Sequence, residues 1–301
     1  MLVFNRGASR RWVVVCLGLA TVASISFAAR SDRARAMLGD PAPMLADVDS
    51  RAVVADATAP EANHPPRFEA LHEATLVATN VGSTRIVPPT TNDRAHASTI
   101  TFLHGACMST TDTCRRLDAL SSDDAWLVCP SGNSTCGGDA SDWSGDGDEK
   151  ADFLDDAVGE ALDSIDLPRA DTRRTDVLMG FSRGAFVARD VAYARPGRYR
   201  GLVLIGAATV PDAELLRKNG IRRVVLSSGD YDGSRKTMVV ALTKLCAAGI
   251  PTRWVSLGKV WHALPVDSPG RLRDALEWVR EDGDAGSLAC KAPPPVRVPG
   301  A

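Results

Sequence analysis

Three side chains of this chain have the types and the order that acyl-transfer chemistry asks for: Ser182, Asp232 and His262. Ser182 is the centre of Gly180-Phe181-Ser182-Arg183-Gly184. The apolar run Thr175-Asp176-Val177-Leu178-Met179 precedes it, and Ala185 to Val191, with helical spacing, follows. A serine on a sharp strand-to-helix turn has its hydroxyl projected from the end of a sheet. Gly180 and Gly184 keep Cβ atoms out of the place where helix and strand must nearly touch. A hydroxyl is a poor nucleophile until an imidazole takes its proton. The imidazole in turn needs a carboxylate to hold its tautomer and stabilise its charged form.

Elimination supplies the partners. Of His64, His72, His96, His104 and His262, only His262 follows Ser182. It sits in a loop directly after the strand-like run Thr252 to Leu257. The acid is expected after an earlier strand, and Arg223 to Ser228 leads into Gly229-Asp230-Tyr231-Asp232-Gly233. The spacing Gly229-x-x-Asp232 leaves room for the chain to turn, which favours Asp232. Asp230 is the alternative, with a competing role as a cap of the turn or of the helix starting near Ser234. Asp212, in Pro211-Asp212-Ala213-Glu214, reads more simply as a helix start. Two backbone N–H groups are needed for a developing oxyanion. Arg183 offers one and Ala106, in the loop after the strand Thr99 to His104, offers the other, with Cys107 as fallback. His104 is expected to brace that loop.

The set His104-Gly105, Gly180-x-Ser182-x-Gly184, Gly229-x-x-Asp232 and His262 resembles the α/β-hydrolase superfamily over roughly residues 70 to 282. The Leu103-His104-Gly105-x-Cys107 opening and the loop Cys129-Pro130-Ser131-Gly132-Asn133 are similar to secreted bacterial esterases of the polyhydroxybutyrate-depolymerase and feruloyl-esterase type. They are also similar to the dienelactone-hydrolase and prolyl-oligopeptidase-like groups. The resemblance implies an acyl-enzyme mechanism without metal or cofactor and does not name the substrate; a small-molecule or polymeric ester is expected. The rival readings are a peptidase with the same triad, an acyl transferase to an alcohol other than water, and a non-catalytic cell-envelope binding protein.

The elements that must position these residues alternate along the chain. Strands are predicted at 99–104, 125–129, 174–180, 201–206, 222–228 and 252–257. Helices are predicted at 111–120, 149–165, 183–194, 211–218, 234–248 and 268–281. An opening hairpin is expected from Leu71 to Val87. The pattern predicts an α/β fold of three layers, a mostly parallel sheet with helices on both faces. Only Ala207 to Ile221 separates the strand after the nucleophile helix from the next, too short for a lid domain, so an open cleft is expected. Trp143 and Trp261 are expected to flank it. Residues 137–150 are dense in acids, but their spacing fails the calcium-loop pattern, so a solvated loop feeding a helix N-terminus is expected.

The remaining organisation concerns export. Arg6, Arg10 and Arg11 precede the apolar run Trp12 to Ala29, and Ser26-Phe27-Ala28 offers a small-x-small cleavage site. Residues 1–28 therefore read as a signal peptide, with an uncleaved membrane anchor as the rival. Residues 29–66 read as a flexible Ala/Pro/Asp-rich leader, 67–283 as the catalytic domain and 284–301 as a C-terminal tail. Cleavage removes three basic residues and no acids, moving the formal charge from −2 to −5, which gives nucleic-acid binding no electrostatic support. It leaves six cysteines: Cys107, Cys114, Cys129, Cys136, Cys246 and Cys290. An even count in an exported chain predicts disulfides. Sequence proximity favours Cys107–Cys114, Cys129–Cys136 and Cys246–Cys290, the alternative being a bridge between the two adjacent loops. Without a C-x-x-C spacing, a zinc site is not expected.

Overall fold

The structure, a computed structural model, describes residues 71, 73–120, 125–167, 176–281, 283 and 289–296. The expected signal peptide and leader lie outside these residues. Chain order runs β1 (Thr75–Thr79), β2 (Gly82–Val87), β3 (Ser98–Leu103), β4 (Met108–Ser109), α1 (Thr110–Arg115), β5 (Ala125–Pro130), β6 (Ser134–Gly137), β7 (Ala140–Asp142), α2 (Gly147–Asp163), β8 (Val177–Phe181), α3 (Arg183–Ala194), β9 (Gly201–Ile205), α4 (Ala213–Lys218), β10 (Arg223–Ser228), α5 (Arg235–Ala247), β11 (Thr252–Ser256) and α6 (Ser268–Arg280).

The apolar runs that do not alternate are the strands buried on both faces. Every residue of β3, β5, β8, β9 and β10 is buried. They lie in one eight-stranded sheet of order β1-β2-β5-β3-β8-β9-β10-β11. The pairs β1–β2 and β2–β5 are antiparallel, and every pairing from β5 to β11 is parallel. Successive side chains of a strand point to opposite faces. Leu178, Leu202, Leu204, Val224 and Leu226 accordingly pack with Leu154 of α2, Val187 and Val191 of α3 and Leu242 of α5. Val177, Met179, Val203, Ile205 and Val225 pack on the other face with Leu272, Leu276 and Val279 of α6 and Cys114 of α1. Three layers result, as the sequence predicts, and only α4 lies between β9 and β10, with no lid there.

Two local expectations fail. The helix predicted over 111–120 ends at Arg115 and resumes as a 3-10 turn at Asp118–Leu120, with Leu117 and Leu120 bonding three residues back. Residues 137–150 are only partly a loop. β6 and β7 form a hairpin whose β7 pairs with β4 in a separate three-stranded sheet, order β4-β7-β6. These strands have two to four residues, too few to leave a period in the sequence. The rest of the segment does feed a helix: Asp146 caps α2 through the N–H groups of Asp148 and Glu149, and Glu149 returns the bond to the Asp146 N–H.

The cysteine pairing also departs from proximity. The bridges are Cys107–Cys136, Cys114–Cys129 and Cys246–Cys290. β3 and β5 are neighbours, so the segments leaving them run side by side. Cys107 immediately precedes β4, and the small sheet brings β6, with Cys136, to it. Cys114, on α1, faces the sheet and meets Cys129 on β5, both fully buried. Only the third bridge matches the pairing by proximity; it ties the tail to α5.

Candidate active site

Parallel strands place their C-terminal ends along one edge, and loops leaving that edge converge. Leu103 pairs with Gly180, Phe181 with Ile205, Ser227 with Ile205 and Ser228 with Ser256. The segments that follow carry Gly105 and Ala106, Ser182, Gly206, Asp232 and His262 respectively. Register alone therefore gathers residues spread over 157 positions of sequence, from Gly105 to His262.

Ser182 has φ 53° and ψ −118°, the left-handed side of backbone space that a residue with a Cβ enters only at a cost of roughly 1–3 kcal/mol. The surroundings force it. A Cβ on Gly180 would lie 2.2 Å from the Gly184 carbonyl oxygen, and one on Gly184 would lie 2.1 Å from that of Leu103. The Ser182 N–H donates to the Ile205 carbonyl at 2.8 Å. Although Ser182 stands at the N-cap of α3, its hydroxyl caps nothing. It lies 2.8 Å from Nε2 of His262 instead.

Nδ1 of His262 is 2.9 Å from Oδ2 of Asp232. The Asp232 side chain is 3% exposed and that of His262 48%, so the carboxylate is shielded and the imidazole faces solvent. The other carboxylate oxygen, Oδ1, accepts from the Ser234 N–H at 2.8 Å. The Phe181 ring stacks on the imidazole at 5.2 Å between centroids. Asp230, the competing acid, is turned away: it accepts from the Ser256 hydroxyl at 2.6 Å. Asp212 caps α4, as its sequence context suggests.

The loop after β3 is built around His104. Its Nδ1 is 2.7 Å from the Gly105 carbonyl, which can only accept, so Nδ1 carries the proton. Nε2 then accepts, with the Gly132 N–H at 3.1 Å and the Ser141 hydroxyl at 3.0 Å. Burial holds the His104 pKa below its ordinary value, against a smaller opposing pull from the Gly105 carbonyl. A Cβ on Gly105 would lie 3.3 Å from Cβ of Ser182, so this loop runs directly beside the serine. Ala106 and Arg183 follow Gly105 and Ser182, and neither amide donates to a protein acceptor among the described residues. The Arg183 guanidinium is drawn aside to the Trp143 carbonyl at 3.1 Å.

Trp143 does not flank the site. It is 1% exposed, with its indole N–H on the His104 carbonyl at 2.9 Å. Trp261 is 61% exposed and does stand at the rim. Three contributors have roles that the sequence reading missed: Phe181, which stacks on the imidazole from a variable position of the glycine-flanked motif, Ser141, which supports His104, and Gly206. Gly206 is the one with a sequence signal, a glycine directly after an apolar strand at the edge where the loops gather.

Two other features invite comparison. Cys107, Cys136 and Asp142 bring ligand-type atoms within 4.8 Å of one another, but both sulfurs are spent in a disulfide and are no longer thiolate ligands. A cleft of about 450 Å³, lined by Asp93, His96, Glu277, Arg280 and Glu281 among others, opens where β3 begins, at the opposite edge of the sheet from Ser182. The serine itself is half-buried, between exposed Ala106, Arg183 and His262.

No family model matches the chain, and no curated protein matches it. Solved structures do. An esterase, PE8, is 20% identical and covers 69% of this chain and 99% of its own, with a TM-score of 0.50. The fluorophosphonate-binding serine hydrolase F of Staphylococcus aureus is 13% identical, covering 69% and 98%, with a TM-score of 0.50. A ferulic acid esterase is 14% identical, covering 69% and 96%, with a TM-score of 0.50. With the strand order and the faces described above, these likenesses show a common fold.

Proposed function

We propose that this chain, which has the α/β-hydrolase fold, is an exported serine esterase. One observation carries the reading: Ser182, His262 and Asp232 leave three different strands and join in a single line of hydrogen bonds of 2.8 and 2.9 Å. In that line Nε2 of His262 takes the Ser182 proton as Oγ bonds to the ester carbonyl carbon. Asp232 holds the proton on Nδ1 and stabilises the imidazolium. The carbonyl oxygen becomes an oxyanion within reach of the Ala106 and Arg183 N–H groups. Collapse breaks the bond to the alkoxy oxygen, which takes the proton from Nε2 and leaves as the alcohol. Water repeats the sequence on the acyl-enzyme, releasing the acid and restoring the serine.

Esters are favoured over amides because, among the described residues, only α4 lies between β9 and β10 and no added domain stands there to hold a peptide. Alcohol and amine each leave with one proton from His262, and the amine, the poorer leaving group, asks more of the site. Two of the structures sharing the fold are esterases by name. Three disulfides in one chain support an oxidising compartment, and so export. Among the described residues no helix is long and apolar enough to cross a membrane.

The test is activity-based labelling joined to turnover. A fluorophosphonate should label the wild-type chain at Ser182, and Ser182→Ala should lose both the label and about 10⁴-fold or more of ester turnover. A Ser182→Ala variant that keeps its turnover ends the assignment.

A further inference from the structure

We propose that Trp261, seated on Tyr231, receives the alcohol part of the ester and selects aryl-bearing alcohols over small ones. This inference rests on the esterase reading and says which side of the substrate the rim recognises.

Trp261 is 61% exposed, an unusual state for so large an apolar side chain. Trp126, Trp143 and Trp278 are buried, at 0%, 1% and 5%. Its neighbourhood is apolar too: Val266, on the same loop, is 78% exposed. The indole is not loose. Its ring lies 5.7 Å from that of Tyr231, tilted by 52°. The backbone beneath is knitted to the Asp232 loop. Asp230 N–H bonds to Gly258, Tyr231 N–H to Val260, and Ala263 N–H to Trp261 itself, at 2.8, 3.0 and 2.9 Å. A Cβ on Gly229 would lie 2.5 Å from the Trp261 carbonyl oxygen, so that glycine lets the two loops touch. A flat apolar surface held this firmly loses little conformational freedom when a ligand covers it.

Position decides which part of the substrate it meets. Trp261 immediately precedes His262, and Tyr231 immediately precedes Asp232. In acylation the proton on His262 Nε2 must reach the alkoxy oxygen, so that oxygen lies against the imidazole. The group beyond it then leaves across the loop that carries the imidazole, where Trp261 stands. The acyl group, on the other side of the carbonyl carbon, points away from this loop. Among the described residues no lid stands between β9 and β10, so a broad aromatic face is what this rim offers a leaving group. Ring-on-ring contact is the interaction it makes best.

The experiment compares esters that differ on one side only. Benzyl and methyl acetate vary the alcohol while keeping leaving groups of similar basicity; methyl phenylacetate and methyl acetate vary the acyl part. Trp261→Ala should lower the benzyl-to-methyl ratio of kcat/KM by about tenfold, mostly through KM, and Trp261→Phe should restore most of it. The phenylacetate-to-acetate ratio should hold. An unchanged benzyl ratio, or a loss confined to the acyl series, overturns the inference. Fluorophosphonate labelling of Ser182 in each variant reports separately on the reacting residues. Wild-type protein that neither labels nor turns over any of these esters brings down the esterase reading itself.

Discussion

Gly206 lies directly against the imidazole of His262. A Cβ at this position would stand 3.1 Å from Cε1 and 3.3 Å from Nδ1 of that ring, and 3.2 Å from Oδ2 of Asp232. Its φ of +61° independently disfavours any residue with a Cβ. The glycine therefore serves the pairing of base and acid twice, by its shape and by its backbone. Gly206→Ala is expected to lower kcat by about tenfold or more, and to cost roughly 1–2 kcal/mol of stability from the left-handed backbone alone. Steady-state kinetics on a nitrophenyl ester together with a denaturant melt would check both numbers. A variant with wild-type kcat would mean that the imidazole has room the geometry denies it.

The two neighbouring aspartates should behave differently. Oδ2 of Asp232 faces Nδ1 of His262, and burial keeps water from replacing it. Asp232→Asn sets an amide against Nδ1 and favours the wrong tautomer, so turnover should fall on the order of 10⁴-fold. Asp230 touches Ser256 and makes no bond to the imidazole. Asp230→Asn should change turnover by less than about threefold, because the amide oxygen can still accept from the Ser256 hydroxyl and the residue does not touch the reacting groups. Equal losses in the two variants would move the acid's role to the loop as a whole.

His104 predicts how stability depends on pH. The folded chain keeps this ring neutral, because burial lowers its pKa below the ordinary 6.5 and Nε2 is already an acceptor. Below about pH 6.5 the unfolded chain takes up a proton at this position while the folded chain does not. The contribution is therefore intact above pH 6.5 and is lost as the pH falls toward the lowered folded value. Calorimetric melts from pH 7.5 to 5 should show this loss in the wild type and a shallower slope in His104→Gln, an uncharged substitute. Parallel slopes would remove His104 from the account.

How much of this was legible in the sequence depends on range. Ser182, Asp232 and His262 are named by local signals, a glycine-flanked turn and two loops after strands, because parallel strands oblige such loops to share one edge. The layers were legible for the same reason, since Val177–Phe181 and Gly201–Ile205 are apolar without a break. What failed was short or set by contact across the chain. The two-residue β4 has no period, and it is this small sheet that brings Cys136 to Cys107 rather than to Cys129. Trp143 is expected beside the cleft, yet its indole N–H finds the His104 carbonyl and the ring is buried. Gly206 is marked locally only as a glycine after the apolar strand Gly201–Ile205, and that mark does not say that an imidazole from 56 residues on will rest against it.

One of the two disulfides that sequence proximity mispairs, Cys107–Cys136, yields the last prediction. Cys107 and Cys136 are exposed, whereas Cys114 and Cys129 are buried, so a mild reductant reaches the first bridge before the second. Cys107 adjoins Ala106, whose N–H is one of the two proposed oxyanion donors. Its bridge fastens that loop to the β6–β7 hairpin, which also presents Ser141 to His104. Loosening it should misplace the donor while leaving the nucleophile and its base paired. Cys107→Ser/Cys136→Ser is expected to lose turnover by about tenfold or more, since an oxyanion donor contributes up to 10²–10³ and the loop retains its His104 anchor. The change should appear in kcat with KM little moved, because the interaction strengthens only as charge develops. Fluorophosphonate labelling of Ser182 should slow in parallel, as the reagent also develops charge on oxygen. Equal turnover with the bridge removed would show that His104 and Ser141 alone hold the loop in place.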